Sequence, residues 1–122
     1  MIPAAIPVTF FTDRAAQFKR EDVLGPAELA RLISDMVAPE KTRLPWLKMA
    51  RFGDSRSDKK SLRHDANVLA ITGIEADYDG EEISFSTAVE IAKKAGVGCI
   101  IYTSPSHEPA KPRWRVLCLP KP

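Results

Sequence analysis

Over residues 68–103 an apolar run, an amphipathic run and a second apolar run follow one another, and this order restricts the fold more than any other feature. Val68 to Tyr78 reads as a strand, kinked or bulged at Gly73 and ended by Asp79-Gly80. Ser86 to Ala95 reads as a helix. Phe85, Ala88, Val89, Ala92 and Ala95 share its inner face, and Gly96 is its stop signal. Val97 to Thr103 (VGCIIYT) is almost continuously apolar, the pattern of an interior strand. Strand, helix, strand is a βαβ unit, whose two strands are expected to be parallel and joined by a right-handed crossover. After the turn-rich SPSHEPAKP (104–112), Arg113 to Leu119 (RWRVLCL) returns as a strand antiparallel to its predecessor.

Upstream, Ile6 to Thr12 (IPVTFFT) is β-branched and aromatic and reads as a strand, followed by a charged stretch from Asp13 to Asp22. Gly25-Pro26 opens a helix with an apolar stripe at Leu29, Leu32, Ile33, Met36 and Val37, stopped by Pro39. Trp46 to Phe52 reads as a short strand. Residues 53–67 (GDSRSDKKSLRHDAN) read as a solvated loop with almost nothing to bury. The expected fold is α+β: a mixed sheet with helices on one face, with a ferredoxin-like or RNA-recognition-motif-like core.

At 122 residues the chain is one domain, 1–122, with one core. Its 44% hydrophobic and 28% charged content excludes a disordered tail, a collagen-like chain and a coiled coil. A net charge of +2 is too small to argue for nucleic acid by itself, so such a case rests on where the charges sit. Cys99 and Cys118 lie in apolar runs; their spacing gives neither a disulfide framework nor a zinc site, and they read as small core residues. No stretch approaches the roughly 20 apolar residues that span a bilayer. MIPAAIPVTFFTDR lacks the basic start and apolar run of a signal peptide, so no membrane contact and a cytoplasmic location are expected.

The sequence that carries chemistry is GIEADYDG (73–80). Alternation puts Glu75, Asp77 and Asp79 on one face and Ile74, Ala76 and Tyr78 on the other, toward the core. Three carboxylates in a row repel one another and suit a strand poorly, a conflict that a divalent cation resolves and that solvation on an open sheet face resolves equally. The second group is in YTSPSHEPAKPRWRV (102–116): Ser104, Ser106 and His107 in the loop, Arg113 and Arg115 on one strand face. Guanidinium forks and hydroxyls hold phosphate oxygens. The βαβ return can bring this basic group beside the acidic one. A third group, Arg56, Lys59, Lys60, Arg63 and His64, lies in the 53–67 loop and is a candidate nucleic-acid contact that orders on binding, or simply a soluble loop.

GIEADYDG followed across a helix and a strand by YTSPSHEPAKPRWRV resembles the polymerase domain of archaeo-eukaryotic-type primases, closest to the primase-polymerase domains of phage and plasmid replication proteins. LRHDANV (62–68) also looks like the segment before the acidic strand in phage-type members, and the resemblance covers roughly residues 44–120. It implies an RNA-recognition-motif-like catalytic half. Asp77 and Asp79 match the family's metal-binding pair for Mg²⁺ or Mn²⁺, and Glu75 would be an additional acid. The family's Ser-x-His element binds the nucleotide. Its histidine falls on the strand where this sequence has Arg115, so either His107 or Arg115 takes the phosphate-binding role. The third family carboxylate lies beyond Leu119. The resemblance therefore implies the N-terminal part of a larger replication protein or a remnant, inefficient in polymerisation as it stands.

The function expected is nucleotidyl transfer in DNA replication. Its partners are a nucleoside triphosphate, DNA as a single strand or primed template, and a fused or associated helicase. The alternatives are a metal-dependent phosphodiesterase or nuclease, since two metals between carboxylates serve hydrolysis as well, and a non-catalytic nucleic-acid-binding module. An aromatic content of 7% counts against the module, because single-strand binding uses stacking platforms.

Overall fold

The IPVTFF segment forms β1 (Ile6–Phe11) and is buried on both faces. Ile6, Val8 and Phe10 join Leu29, Met49 and Leu117 in one apolar cluster, whereas Phe11 joins Ala16, Ala50, Phe52 and Leu62 in a second. The computed structural model describes residues 5–36 and 44–120. Among them are eight strands in three antiparallel sheets and two α-helices, an α+β architecture.

The charged stretch from Asp13 to Asp22 ends in a strand. β2 (Lys19–Leu24) pairs antiparallel with β1 from Ile6↔Leu24 to Phe11↔Lys19. Its polar residues stay at the sheet edge while its backbone completes the ladder, so tertiary pairing overrides local propensity. α1 (Pro26–Asp35) begins as read, with Pro26 in its first turn and the Glu28 carboxylate accepting from the Gly25 N–H. Leu29 is its buried anchor. It ends at Asp35; Val37 and Pro39 lie outside the described residues.

Two expected strands are each broken in two. Trp46 to Phe52 divides into β3 (Trp46–Lys48), which pairs with β1, and β4 (Ala50–Phe52), which pairs with β5 (Val68–Ile71). Val68 to Tyr78 divides at Thr72-Gly73 into β5 and β6 (Ile74–Tyr78). At Gly73 a Cβ would stand 2.5 Å from Met49 Cε and 2.9 Å from the Cys118 carbonyl oxygen, so no larger side chain fits this corner.

α2 (Phe85–Ala95) follows its local signals: Ser84 Oγ accepts from the Thr87 N–H, and Gly96 closes the helix at φ 67°. β7 (Cys99–Thr103) and β8 (Trp114–Cys118) complete a sheet of order β6-β8-β7. β6 and β7 both run antiparallel to β8 and hence parallel to each other, as a βαβ unit requires, but β8 lies between them. Among the described residues every hydrogen-bonded strand pair is therefore antiparallel, which corrects the expected mixed sheet. The helices are not on one face of it either. Leu117 and Ile100 pack with Leu29 of α1, while Trp114, on the opposite face of β8, donates to the Ile83 carbonyl just ahead of α2.

The 53–67 segment also departs from expectation, because it is packed against the rest of the fold. Leu62 and Asn67 are buried, the Leu62 N–H donates to the Ala16 carbonyl, and a 3₁₀ turn spans Asp65–Asn67. Asn67 donates to the Gly53 and Leu62 carbonyls and accepts from the Ser55 N–H. Among the described residues no helix is long and apolar enough to cross a membrane. Asn67→Ala deletes three hydrogen bonds and strands buried partners. It is expected to lower unfolding free energy by about 3 kcal/mol in urea titration, against about 1 kcal/mol for Gly96→Ala at its positive φ.

Candidate functional site

The acidic strand presents its carboxylates to the interior side of its sheet. Asp77 pairs in register with Arg115 and, across β8, with Tyr102; Glu75 pairs with Leu117 and Ile100. Side chains directly opposite one another share a face, so Glu75 and Asp77 stand beside the buried Leu117. The orientation expected for the alternate residues is reversed. Ile74 is 68% exposed and Ala76 is exposed, leaving only Tyr78 packed, its ring stacked on Trp114 at 4.6 Å. The reason is that the apolar layer beneath this sheet, Leu29 and Met49 with Leu117, lies on the carboxylate side.

Glu75 and Asp77 each have their own partner. Glu75 Oε2 accepts from the Met49 N–H at 2.8 Å, and Oε1 lies 3.7 Å from Lys48 Nζ, so Glu75 ties two sheets together. Asp77 Oδ1 accepts from Arg115 Nε at 2.6 Å. Asp79 follows the end of β6 in a turn held around the tip of Tyr78, whose hydroxyl accepts from the Glu82 and Ile83 N–H groups. The same turn presents Glu81 to Arg113 at 3.1 Å. Sequence reasoning passed over Glu81; its place six residues after Glu75, beyond the strand, gave no signal. Acidic and basic groups thus meet as the sequence suggested, in one ion pair between neighbouring strands, Asp77–Arg115, and one between the flanking turns, Glu81–Arg113.

Beside Arg115 lies a groove of about 700 Å³ between the end of α1, β3 and the β7–β8 loop. Arg14, Arg115, Tyr102 and Ser104 supply its polar wall; Ile33, Met36, Trp46 and Leu47 supply its apolar one. The Ser104 hydroxyl is shut off from solvent and has no hydrogen-bond partner among the described residues. A buried donor of that kind is satisfied by a ligand or water. The Tyr102 hydroxyl is pushed above the ordinary tyrosine range. Burial is the main cause, opposed by its hydrogen bond and proximity to the Arg115 cation and aided by the Glu75 and Asp77 charges. For Arg115, burial works against the charge, but the Asp77 hydrogen bond and charge outweigh it and hold the guanidinium protonated beyond its usual range.

The other expected binders are spent on structure. His107 Nδ1 accepts from the Arg113 N–H and fixes the loop 104–112; Ser106 lies in the same loop. Arg56 donates to the Gln17 and Lys60 carbonyls, and His64 Nε2 donates to the Ser55 carbonyl. Arg63 donates to the Arg14 carbonyl and lies 4.5 Å over the Trp46 ring. Lys59 and Lys60 are exposed. The loop is thus ordered by its own contacts, which corrects the expectation that it orders on binding.

Among the described residues no three His, Cys, Asp or Glu side chains gather to cage an ion. Asp77 is half-exposed and already paired with Arg115. No protein family, curated protein or solved structure matches the chain.

Because Tyr102 ionises later in the folded chain than in the unfolded one, its contribution to stability is complete below about pH 10 and is lost as pH rises through the folded value. Denaturant unfolding between pH 8 and 11 is expected to show this loss, and Tyr102→Phe to make the decline shallower.

Proposed function

We propose that this chain is a nucleotide-binding domain of the primase-polymerase kind, which takes a nucleoside triphosphate in the groove beside Arg115. The observation that carries the reading is the Asp77–Arg115 pair at the groove's edge, an anion-binding and a cation-binding group on adjacent strands. Arg115 and Arg14 neutralise the phosphates, and the unpartnered Ser104 hydroxyl bonds a phosphate or sugar oxygen. The apolar wall around Trp46 receives the base. Asp77 and Asp79 are the groups that would hold Mg²⁺ or Mn²⁺, which supplies charge stabilisation at the reacting phosphate when bound.

The order β6-β8-β7, with α2 between β6 and β7, supports the finer fold reading, a split β-α-β of the ferredoxin-like or RNA-recognition-motif-like type. In such a core a fourth strand pairs with the edge that β6 leaves open here. The reaction served is attack of a 3′-hydroxyl on the α-phosphate of the nucleotide with release of pyrophosphate, on a single-stranded or primed DNA template. A cytoplasmic replication protein with a helicase partner is the setting that goes with it.

Titration calorimetry with a nucleoside triphosphate, with and without Mn²⁺, tests the reading. Arg115→Ala is expected to weaken binding at least about ten-fold in both conditions, which corresponds to losing a charge-assisted hydrogen bond. Asp77→Ala/Asp79→Ala is expected to remove only the part that Mn²⁺ adds. Affinity unchanged in both variants, with far-ultraviolet circular dichroism unchanged, overturns it. Release of mononucleotides from single-stranded DNA without extension of a primed template assigns the site to hydrolysis instead.

A further inference from the structure

Cys99 and Cys118 are direct partners in the β7–β8 ladder. The sequence separates them by the rest of β7, the loop that follows it and most of β8, so only the register reveals the pairing. The type of pair matters as well. The Leu119 N–H donates to the Gly98 carbonyl at 2.9 Å, and the Ser104 N–H donates to the Arg113 carbonyl at 3.0 Å, so residues 98 with 119 and 104 with 113 occupy hydrogen-bonded positions. Hydrogen-bonded and non-hydrogen-bonded pairs alternate along an antiparallel ladder, which puts Cys99 and Cys118 at a non-hydrogen-bonded position. There the Cα atoms approach to about 4.5 Å and the side chains are at their closest, within the 4.4–6.8 Å that a disulfide spans.

Three further observations agree. Both cysteines are reduced and neither is fully buried, so a small reagent can reach them. The Cys99 thiol is held above its ordinary range first by burial and then by the charge of Cys118, in keeping with the ladder register. The pair also lies on the face of the sheet opposite Arg115 and Asp77, so bond formation takes nothing from the groove.

We propose that Cys99 and Cys118 are a redox modification site, two thiols that close into an intramolecular cross-strand disulfide on reaction with a low-molecular-weight disulfide such as oxidised glutathione. One cysteine thiolate attacks the glutathione disulfide, forming a mixed disulfide and releasing one glutathione thiolate. The second cysteine thiolate attacks the protein sulfur of that mixed disulfide and releases the second glutathione. Two electrons and two protons leave the protein, and one glutathione disulfide becomes two thiols. The product staples β7 to β8 at the end of the sheet nearest Leu119 and leaves the Tyr102–Arg115 end unlinked.

The test is equilibration of the full chain in glutathione redox buffers at pH 8, followed by acid quenching, intact mass spectrometry and peptide mapping, both in native buffer and in guanidinium chloride. The expected result is a monomer lighter by two hydrogens with a Cys99–Cys118 linked peptide. Its equilibrium constant is expected to be at least about ten-fold larger in native buffer than in denaturant, since a ladder that pre-aligns the sulfurs raises their effective concentration. By linkage the oxidised chain then melts at a higher temperature than the reduced one. Cys99→Ser is expected to stop at a single glutathione adduct on Cys118. Two free thiols in native buffer under conditions that link them in denaturant, or glutathione adducts and disulfide-linked dimers in place of the internal bond, overturn the proposal.

Discussion

Three sheets that share no strand are fastened together at the peptide of Met49. Its N–H donates to Glu75 of the third sheet, its carbonyl accepts from the Thr72 N–H between the second and third, and its side chain is buried against Gly73. Two hydroxyls reinforce the junction: Thr9 donates to the Ala50 carbonyl and Thr72 to the Pro7 carbonyl. A buried peptide group that leaves one ladder must find partners elsewhere. Here those partners come from the strands of the other sheets, so the breaks in the chain are also its joints. Glu75 is the member of this junction that matters most for the site. Its carboxylate must face Met49, and the period of two along β6 then sends Asp77 to the same side, where Arg115 stands in register.

The Asp77–Arg115–Tyr102 row sets the electrostatic character of the groove. Arg115 sits half-buried between a carboxylate and a phenol, and its charge survives because Asp77 compensates for lost hydration. Asp77 is the more exposed of the two and holds only one of its oxygens against the guanidinium. On the proposed reading, a phosphate in the groove would compete for Arg115 and a cation from solvent for Asp77. Exchange of one ion pair for two new ones costs little Coulomb energy, since each charge is handed to a new partner and not stripped bare.

Much of this was legible in local sequence signals. The Gly25-Pro26 start, the Gly96 stop and the apolar runs of β1, β7 and β8 are all where the residues put them. So is the meeting of GIEADYDG with the RWRV strand, which follows from the strand-helix-strand-return order. What the sequence concealed was set by tertiary pairing. KREDVL carries no strand pattern and becomes β2 because β1 offers an open edge. The direction faced by Ile74 and Ala76 was misread because alternation gives two faces without saying which is inside, and an edge strand can leave its apolar set in solvent. Met49 lies in a run that reads as one strand, and nothing local marks the buried peptide at which it turns.

The basic loop also has a structural task. Residues 53–67 carry a high charge density, and several of their polar groups are bonded within the fold: Asn67 and His64 hold the loop's own carbonyls, and Arg56 bridges to Gln17, while Lys59 and Lys60 stay exposed. Arg63 goes further. By bonding the Arg14 carbonyl and stacking on Trp46 it fixes two walls of the groove at once, one cationic and one aromatic. A guanidinium is suited to this, since its planar face covers a ring while its edge donates to a carbonyl. The loop and the groove are therefore one structural unit. Arg14 and Arg115 are the cations that line that groove.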